Sequence, residues 1–231
     1  MADNMKLSII IPCFNEEERL AKSLPIIKNY MKSIGIFNYE IIISDDGSTD
    51  STRLVAKRHN CVLTPVEKNK GKWYAIRRAI MISTATDYIL ITDSDLSTPI
   101  SYFAEFIKDF PKYDVVIASR AIDGSNVKTS LFKKIAGRIS NIPISFIVKD
   151  IKDTQTGFKM FSVDVAKKIF PKCIINRWGG DVEVLYLTQK YGYKIKEYPV
   201  NWTNMPGSKV KLSDYPKTLM ELFKIWKHKY D

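Results

Sequence analysis

The sequence predicts an α/β protein with a Rossmann-like, mostly parallel central sheet flanked by helices, and three observations predict it. Short, nearly continuous apolar runs alternate with amphipathic helical patterns through the first half. The runs lack the in-out alternation of a half-solvated sheet, as expected of strands covered on both faces. Polar, acidic clusters follow the runs directly, at the strand ends where open α/β sheets bind ligands.

The strand-like runs are Lys6–Pro12, Tyr39–Ser44, Cys61–Pro65, Tyr88–Thr92 and Val115–Ser119. Helical patterns lie between them at about Glu17–Ile34, Asp50–His59, Trp73–Ser83 and Pro99–Phe110. Strand-helix-strand order implies right-handed crossovers. The second half is less regular. A basic, apolar helical stretch covers about 130–148, interrupted at Pro143, and leads to the polar loop Asp153-Thr154-Gln155-Thr156-Gly157. A strand at Phe158–Phe161, helices at Val163–Phe170 and from Gly180 to Tyr191, a strand at Lys194–Trp202 and a last helix at Tyr215–His228 complete the reading. No internal repeat or linker interrupts it, so a single domain with a C-terminal helical appendage is expected.

Composition narrows the function classes. The 231 residues carry 36 Lys+Arg against 25 Asp+Glu, a net charge of +11. Residues 1–52 hold 5 basic and 8 acidic side chains, so the positive charge belongs to the remainder, which should face an anionic partner. Nucleic acid is not expected, because no binding motif or dense Lys/Arg run is present. Cys13, Cys61 and Cys173 are far apart, and with only His59 and His228 they cannot assemble a zinc site. They read as buried thiols in a reducing compartment. No apolar run reaches a membrane span and no signal peptide precedes the first strand, so a cytoplasmic protein is expected.

Three clusters sit where strands end: Pro12-Cys13-Phe14-Asn15-Glu16-Glu17, Asp45-Asp46-Gly47-Ser48-Thr49-Asp50 and Asp93-Ser94-Asp95. Each alone has an ordinary explanation, since Asn15 and Asp50 can cap helices and Asp-Gly-Ser is turn chemistry. Together they put four carboxylates at one sheet edge, where they repel unless a cation or a donor-rich ligand joins them. Asp-x-Asp after a buried strand offers hard oxygens to Mg²⁺ or Mn²⁺, which keeps other positions for water and a diphosphate. A nucleotide diphosphate is therefore the implied ligand. GxxxxGK[ST] is absent, so Lys70-Gly71-Lys72 is not a Walker loop.

The ordered series IIIPCFNEEERL, EIIISDDGSTDST, NKGKWYAI, ITDSD, ASR, DTQTGFKMF, DVEVLYL and NWTNMPGSK resembles the family 2 glycosyltransferases of GT-A fold, from Ile9 to Lys209. The resemblance implies a GT-A domain over 1–210, with a nucleotide-binding half at about 1–120 and an acceptor half at about 121–210, followed by an amphipathic helix over 211–231. It implies that Pro12, Phe14, Asn15 and Glu16 line the nucleotide pocket and that Asp45 and Asp46 meet the base and ribose. Lys72, Asp93, Ser94 and Asp95 would hold ribose, metal and diphosphate, with Asp93 and Asp95 as metal ligands and Asp95 the principal one. Arg120 fits a phosphate or sugar contact, and Lys209, in Gly207-Ser208-Lys209, a loop closing over the donor. Two departures stand out. Trp73 puts an indole where the family has bare backbone, and Leu96-Ser97 follow the Asp-x-Asp in place of Gly-Ala, leaving a third metal ligand unassigned.

The activity implied is inverting transfer of a hexose, glucose from UDP-glucose, to a polyprenyl (dolichyl-type) phosphate at the cytoplasmic face of a membrane. GDP-mannose as donor, a soluble glycan acceptor, or an inactive nucleotide-sugar-binding or membrane-docking module are the alternatives. Asp153 and Asp181 are the candidate bases, though Asp181 also suits a helix N-cap and a phosphate acceptor, already an anion, needs no strong base. Lys133, Lys134, Arg138 and Gln155 are candidates for the acceptor site. Lys128–Lys152 carries 6 basic residues and 1 acidic residue among Leu131, Phe132, Ile135, Ile139, Ile142 and Phe146. The last helix repeats the pattern, with Leu219, Leu222, Phe223 and Trp226 as an apolar stripe among Lys217, Lys224, Lys227 and Lys229. Both suit either peripheral docking on a membrane or a core-packed helix with a solvated face.

Overall fold

A computed structural model describes residues 5–128, 143–205 and 214–230. Its elements in chain order are β1 (Leu7–Cys13), α1 (Glu17–Ser33), β2 (Tyr39–Asp45), α2 (Thr52–Arg58), β3 (Val62–Leu63), α3 (Lys72–Ile82), β4 (Tyr88–Ile91), α4 (Tyr102–Ile107), β5 (Val115–Ser119), β6 (Asn126–Lys128) and β7 (Lys159–Ser162). They are followed by α5 (Val163–Ile169), a 3₁₀ turn (Phe170–Lys172), α6 (Gly180–Lys190), β8 (Ile195–Pro199), β9 (Asn201–Thr203) and α7 (Asp214–Lys227).

Seven strands form one sheet in the order β3-β2-β1-β4-β7-β5-β8. Every pairing in it is parallel except those of β7, which runs antiparallel to both β4 and β5. The chain leaves β1 toward β2 on one side and returns on the other as β4, which makes a switch point between β1 and β4. Because β7 is reversed, its first residue lies at the edge where its neighbours end: Lys159 pairs with Ile91 and Ile117. The Asp153–Gly157 loop is thereby delivered to the same edge as the Asp-x-Asp.

The apolar runs serve both faces, as their continuity requires. Ile10, Ile42, Ile89, Ile91 and Phe161 face a core shared with α3, α5, α6 and α7. Leu7, Ile9, Ile11, Ile41, Ile43 and Leu90 face the other, shared with α1, α2 and α4. Two helical layers therefore enclose the sheet.

Several boundaries differ from the sequence reading. The third strand shrinks to two residues beside Pro65, which has no amide to donate. The fourth helix shortens because its last turn tightens into i→i−3 bonds at Asp109 and Phe110. The run at 194–202 breaks at the buried Val200, whose amide donates to the Ser119 carbonyl. It resumes as β9 in a separate two-stranded sheet with β6, a strand the sequence did not signal. Cys61 is half-buried, whereas Cys13 and Cys173 are buried; all three are free thiols.

The C-terminal helix is built into the domain. Leu222, Ile225 and the following Tyr230 are buried in the core, and the side chains of Leu222 and Ile225 together contribute about 3–6 kcal/mol of apolar transfer free energy. Polar contacts fix the register: the Glu221 carboxylate accepts from the Gly179 amide at 2.8 Å, and the Tyr230 hydroxyl donates to Glu183 at 2.6 Å. The expected stripe is accordingly corrected. Leu222 turns inward with Ile225, and Leu219, Met220, Phe223 and Trp226 are exposed at 54–73%.

Candidate active site

The β1–α1 and β2–α2 loops are built as one unit. Asn15 takes a left-handed backbone (φ 53°), which asparagine tolerates better than most residues. Its amide donates to Ser48 Oγ at 2.9 Å, and its side-chain oxygen accepts from the Thr49 amide at 2.8 Å. The Glu16 amide donates to Thr52 Oγ1 at 2.9 Å, while the Glu16 carboxylate pairs with Arg19. Asp50 serves both helices, accepting from the Glu17 amide at 3.1 Å and the Thr52 amide at 3.0 Å. Orphan donors at two helix starts are thus satisfied by one carboxylate. Pro12 and Phe14 are half-buried beside this unit.

The acidic pair after β2 is held from within. Asp45 is fully buried, paired with Arg53 Nε at 2.5 Å and accepting from the Ser48 amide at 3.1 Å. Both Asp46 oxygens accept backbone amides, from Lys70 and Gly71, each at 2.8 Å. Burial raises the Asp46 carboxyl above its ordinary value although those amides oppose the rise. Gly71 has φ 116°, and a Cβ there would lie 2.2 Å from the Asn176 carbonyl oxygen. That carbonyl accepts from the amides of Trp73 and Tyr74, so the first turn of α3 is capped by protein. Close ligand approach at Trp73 is therefore blocked, and its ring is buried, stacked on Phe170 at 5.9 Å.

Three ion pairs gather at the edge where β4 and β5 end and β7 begins. Lys72 Nζ meets Asp93 Oδ1 at 2.6 Å. Burial disfavours the charge on Asp93, yet the ammonium outweighs it and the carboxyl lies below its usual value. Asp93 also needs Gly157, since a Cβ at Gly157 would stand 1.8 Å from Asp93 Oδ2. Arg120 donates to Asp153 from its backbone amide, Nε and Nη2 at 2.7–2.8 Å. Asp153 is buried, and Arg120 holds its carboxyl below the usual range against that burial. The guanidinium lies 5.3 Å from the centre of the Trp202 ring, which β9 supplies. The third pair joins Lys159 Nζ to Asp181 Oδ1 at 2.5 Å, with both side chains buried. Asp181 Oδ2 accepts from Trp73 Nε1 at 3.0 Å, and Lys159 also donates to the Thr156 carbonyl. Burial lowers the Lys159 ammonium from its ordinary value although Asp181 opposes the shift. Gly179, not Asp181, is the N-cap of α6, so the capping role falls away.

Among the described residues, no group of three or more His, Cys, Asp or Glu side chains could hold a metal. The repulsion expected among the strand-end carboxylates is relieved internally by Arg53, Lys72 and the amides at Lys70 and Gly71. Asp95 differs from its neighbours. It is half-buried, and Oδ1 accepts from the Ser97 amide at 2.9 Å while Oδ2 has no protein partner among the described residues. A hard oxygen so placed fits a divalent ion whose other ligands come from a diphosphate and water. Ser94 is buried between the two aspartates, and Gln155 is half-buried in the loop above. Lys133, Lys134, Arg138 and Lys209 lie outside the described residues.

Several residues of this edge escaped the sequence reading. Lys159, Gly157, Arg53 and Trp202 gain their roles from partners remote in sequence, and only the lysine's place inside an apolar run hinted at burial. Glu183 is fully buried and accepts the Ile174 and Ile175 amides at 2.7 and 2.9 Å, tying α6 to the segment before it.

A sheet whose switch point opens onto an Asp-x-Asp is how GT-A glycosyltransferases are built, and this is the class that fold and site define. The glycosyl transferase family 2 profile matches residues 8–170. A dolichyl-phosphate beta-glucosyltransferase of Dictyostelium discoideum is 38% identical over 90% of this chain and 69% of its own length. The Homo sapiens dolichyl-phosphate beta-glucosyltransferase is 33% identical over 89% and 69%. The chain belongs to glycosyl transferase family 2. Its fold is shared with the glucosyl-3-phosphoglycerate synthase of Mycobacterium tuberculosis. The crystal structure of that synthase with Mn²⁺, UDP and glucosyl-3-phosphoglycerate superposes with a TM-score of 0.72 at 16% identity, covering 96% of this chain and 79% of the other. Its complex with Mg²⁺ and UDP gives the same TM-score. Among the described residues, no helix is long and apolar enough to cross a membrane.

Proposed function

We propose that the protein transfers glucose from UDP-glucose to a polyprenyl phosphate of dolichyl type, with inversion, at the cytoplasmic face of a membrane. One observation carries the choice of acceptor: both candidate bases are already committed. Asp153 gives its two oxygens to Arg120, and Asp181 divides its own between Lys159 and Trp73. A hydroxyl acceptor needs a carboxylate able to receive its proton, whereas a phosphate is already ionised near neutrality.

In the proposed step an acceptor phosphate oxygen attacks the anomeric carbon. The bond from that carbon to the diphosphate oxygen breaks, and the electron pair leaves with UDP. No proton transfer is required of the protein. Asp95, with Asp93, would hold the metal, and a bound Mg²⁺ or Mn²⁺ supplies positive charge against the departing diphosphate. Lys72 and Arg120 add positive charge on the same side, the protein's part in stabilising the leaving group. Asp153 and Asp181 act as positioning residues, fixing Arg120 and Lys159. Asn15, Glu16, Asp45 and Asp46 shape the nucleotide pocket chiefly by holding its loops.

The exposed face of α7 supports membrane docking. Leu219, Phe223 and Trp226 lie at i, i+4, i+7, with exposed Lys217, Lys224, Lys227 and Lys229 around them. An apolar strip with a cationic border suits an anionic lipid surface. We read 1–210 as the transferase domain and 211–231 as its docking segment, whose helix α7 packs on the domain through Leu222 and Ile225.

A screen of UDP- and GDP-sugars with a short polyprenyl phosphate and Mn²⁺ tests the reading. UDP-glucose should give the lipid-linked product, and preferential use of GDP-mannose would overturn the donor assignment.

A further inference from the structure

Lys72 stands at the first position of α3, whose start is capped by the chain itself. Gly71 packs against the Asn176 carbonyl, and that carbonyl caps the Trp73 and Tyr74 amides. The Lys72 side chain extends from this capped start. Its ammonium spends one of three donors on Asp93 Oδ1, at 2.6 Å, and is itself 21% exposed. On its other side Asp93 Oδ2 lies against Gly157, where a Cβ would stand 1.8 Å away. A metal ion approaching the free protein thus meets a carboxylate that already has a cation, and the two positive charges repel.

We propose that Lys72 is an internal counter-ion that occupies Asp93 until a nucleotide diphosphate arrives, so that metal and nucleotide bind cooperatively and metal alone binds poorly. The inference rests on the reading of Asp93 and Asp95 as the metal-diphosphate end of the site. The incoming diphosphate offers the ammonium a second anion. As Lys72 turns toward it, Asp93 recovers the charge with which to receive the metal. Linkage makes the effect reciprocal, the metal raising nucleotide affinity by the same factor. The direct bond between metal and diphosphate contributes coupling of its own, which survives the loss of Lys72.

Mn²⁺ binding measured by electron paramagnetic resonance, with and without saturating UDP, tests this without recourse to turnover. Wild-type protein should bind Mn²⁺ weakly alone and more tightly with UDP. Lys72→Gln should bind Mn²⁺ alone about tenfold more tightly than wild type and gain less from UDP, about tenfold being an ordinary size for such coupling. Lys72→Arg, which keeps the charge, should behave as wild type. If Lys72→Gln binds Mn²⁺ alone no more tightly than wild type while UDP still tightens both, the counter-ion role is overturned and the metal site stands. If Lys72→Arg behaves as Lys72→Gln, charge is not the agent and the proposal fails. Wild-type protein that binds no Mn²⁺ even with UDP would overturn the metal reading and this inference with it. Thermal melts by circular dichroism confirm that each variant is folded.

Discussion

Arg120 holds Asp153 from three nitrogens at 2.7–2.8 Å, one of them its own backbone amide, and its guanidinium carbon lies 5.3 Å from the centre of the Trp202 ring. The bidentate pair joins the end of β5 to the loop before β7, whose Gly157 lies against Asp93.

Acid should weaken this joint. A carboxyl lowered in the folded state is ionised there at pH values where the unfolded chain has bound a proton, so stability rises with pH across that interval. For Asp153 and Asp93 the contribution is complete above the ordinary carboxylate value near 4 and is lost as pH falls through the lower folded-state values. Arg120→Met should flatten this acid slope. It should also cost about 2–4 kcal/mol near neutrality, less than a fully buried pair because Arg120 is partly exposed. Urea unfolding from pH 3 to 7 checks both.

Breaking the Lys159–Asp181 pair from one side should be more damaging than removing it. Lys159→Met strands a buried carboxylate, and Asp181→Leu strands a buried ammonium; each should cost about 3–5 kcal/mol. The double variant should regain most of that loss because no charge remains unpaired. Chemical denaturation of the two single variants and the double variant gives the coupling, and strictly additive losses would show the pair to be independent.

Gly157→Ala should separate activity from stability. Asp93 can swing away at small cost to the fold, since its carboxylate is the end of a side chain and the Gly157 backbone is not left-handed. Displacing that carboxylate by about 1 Å should cut turnover by about 10²-fold. The loss in unfolding free energy should stay below about 1 kcal/mol. A large drop in melting temperature would assign Gly157 to packing instead.

Neutralising Lys224, Lys227 and Lys229 to Gln removes three charges near the proposed interface, each contributing about 1 kcal/mol. Liposome binding should fall by about two orders of magnitude. Turnover on a short soluble prenyl phosphate should change little, and salt should mimic the substitutions by screening. Flotation on anionic and neutral liposomes measures it; equal binding to both would mean that the lysines play no part.

The sheet was legible because continuous apolar runs between helical patterns leave few other arrangements. The direction of β7 was not: Lys159–Ser162 has the same pattern read either way, and only pairing with β4 and β5 decides. The strand-end carboxylates were legible as a group, but their partners were not. Arg53 lies eight residues beyond Asp45 on an ordinary helix, and Lys159 meets Asp181 only after α5 and its 3₁₀ turn bring α6 back across the sheet. The place of Lys159 inside an apolar run hints at burial, but its partner is not readable until that return is known. The last helix was recognised by its amphipathic pattern, yet its register was misread, because Leu222 and Ile225 share the inward face with no sequence cue to separate Leu222 from Leu219.

The acceptor comparison tests the central claim most directly. Purified protein is given UDP-glucose, Mn²⁺ and either a polyprenyl phosphate or the alcohol of the same chain length, and glucosyl product is quantified. Because Asp153 and Asp181 are both spent on cations, the phosphate should be glucosylated and the alcohol should give no product above background. Comparable transfer to the alcohol, abolished by Asp181→Asn with the KM for UDP-glucose unchanged, would restore a general base and contradict the account.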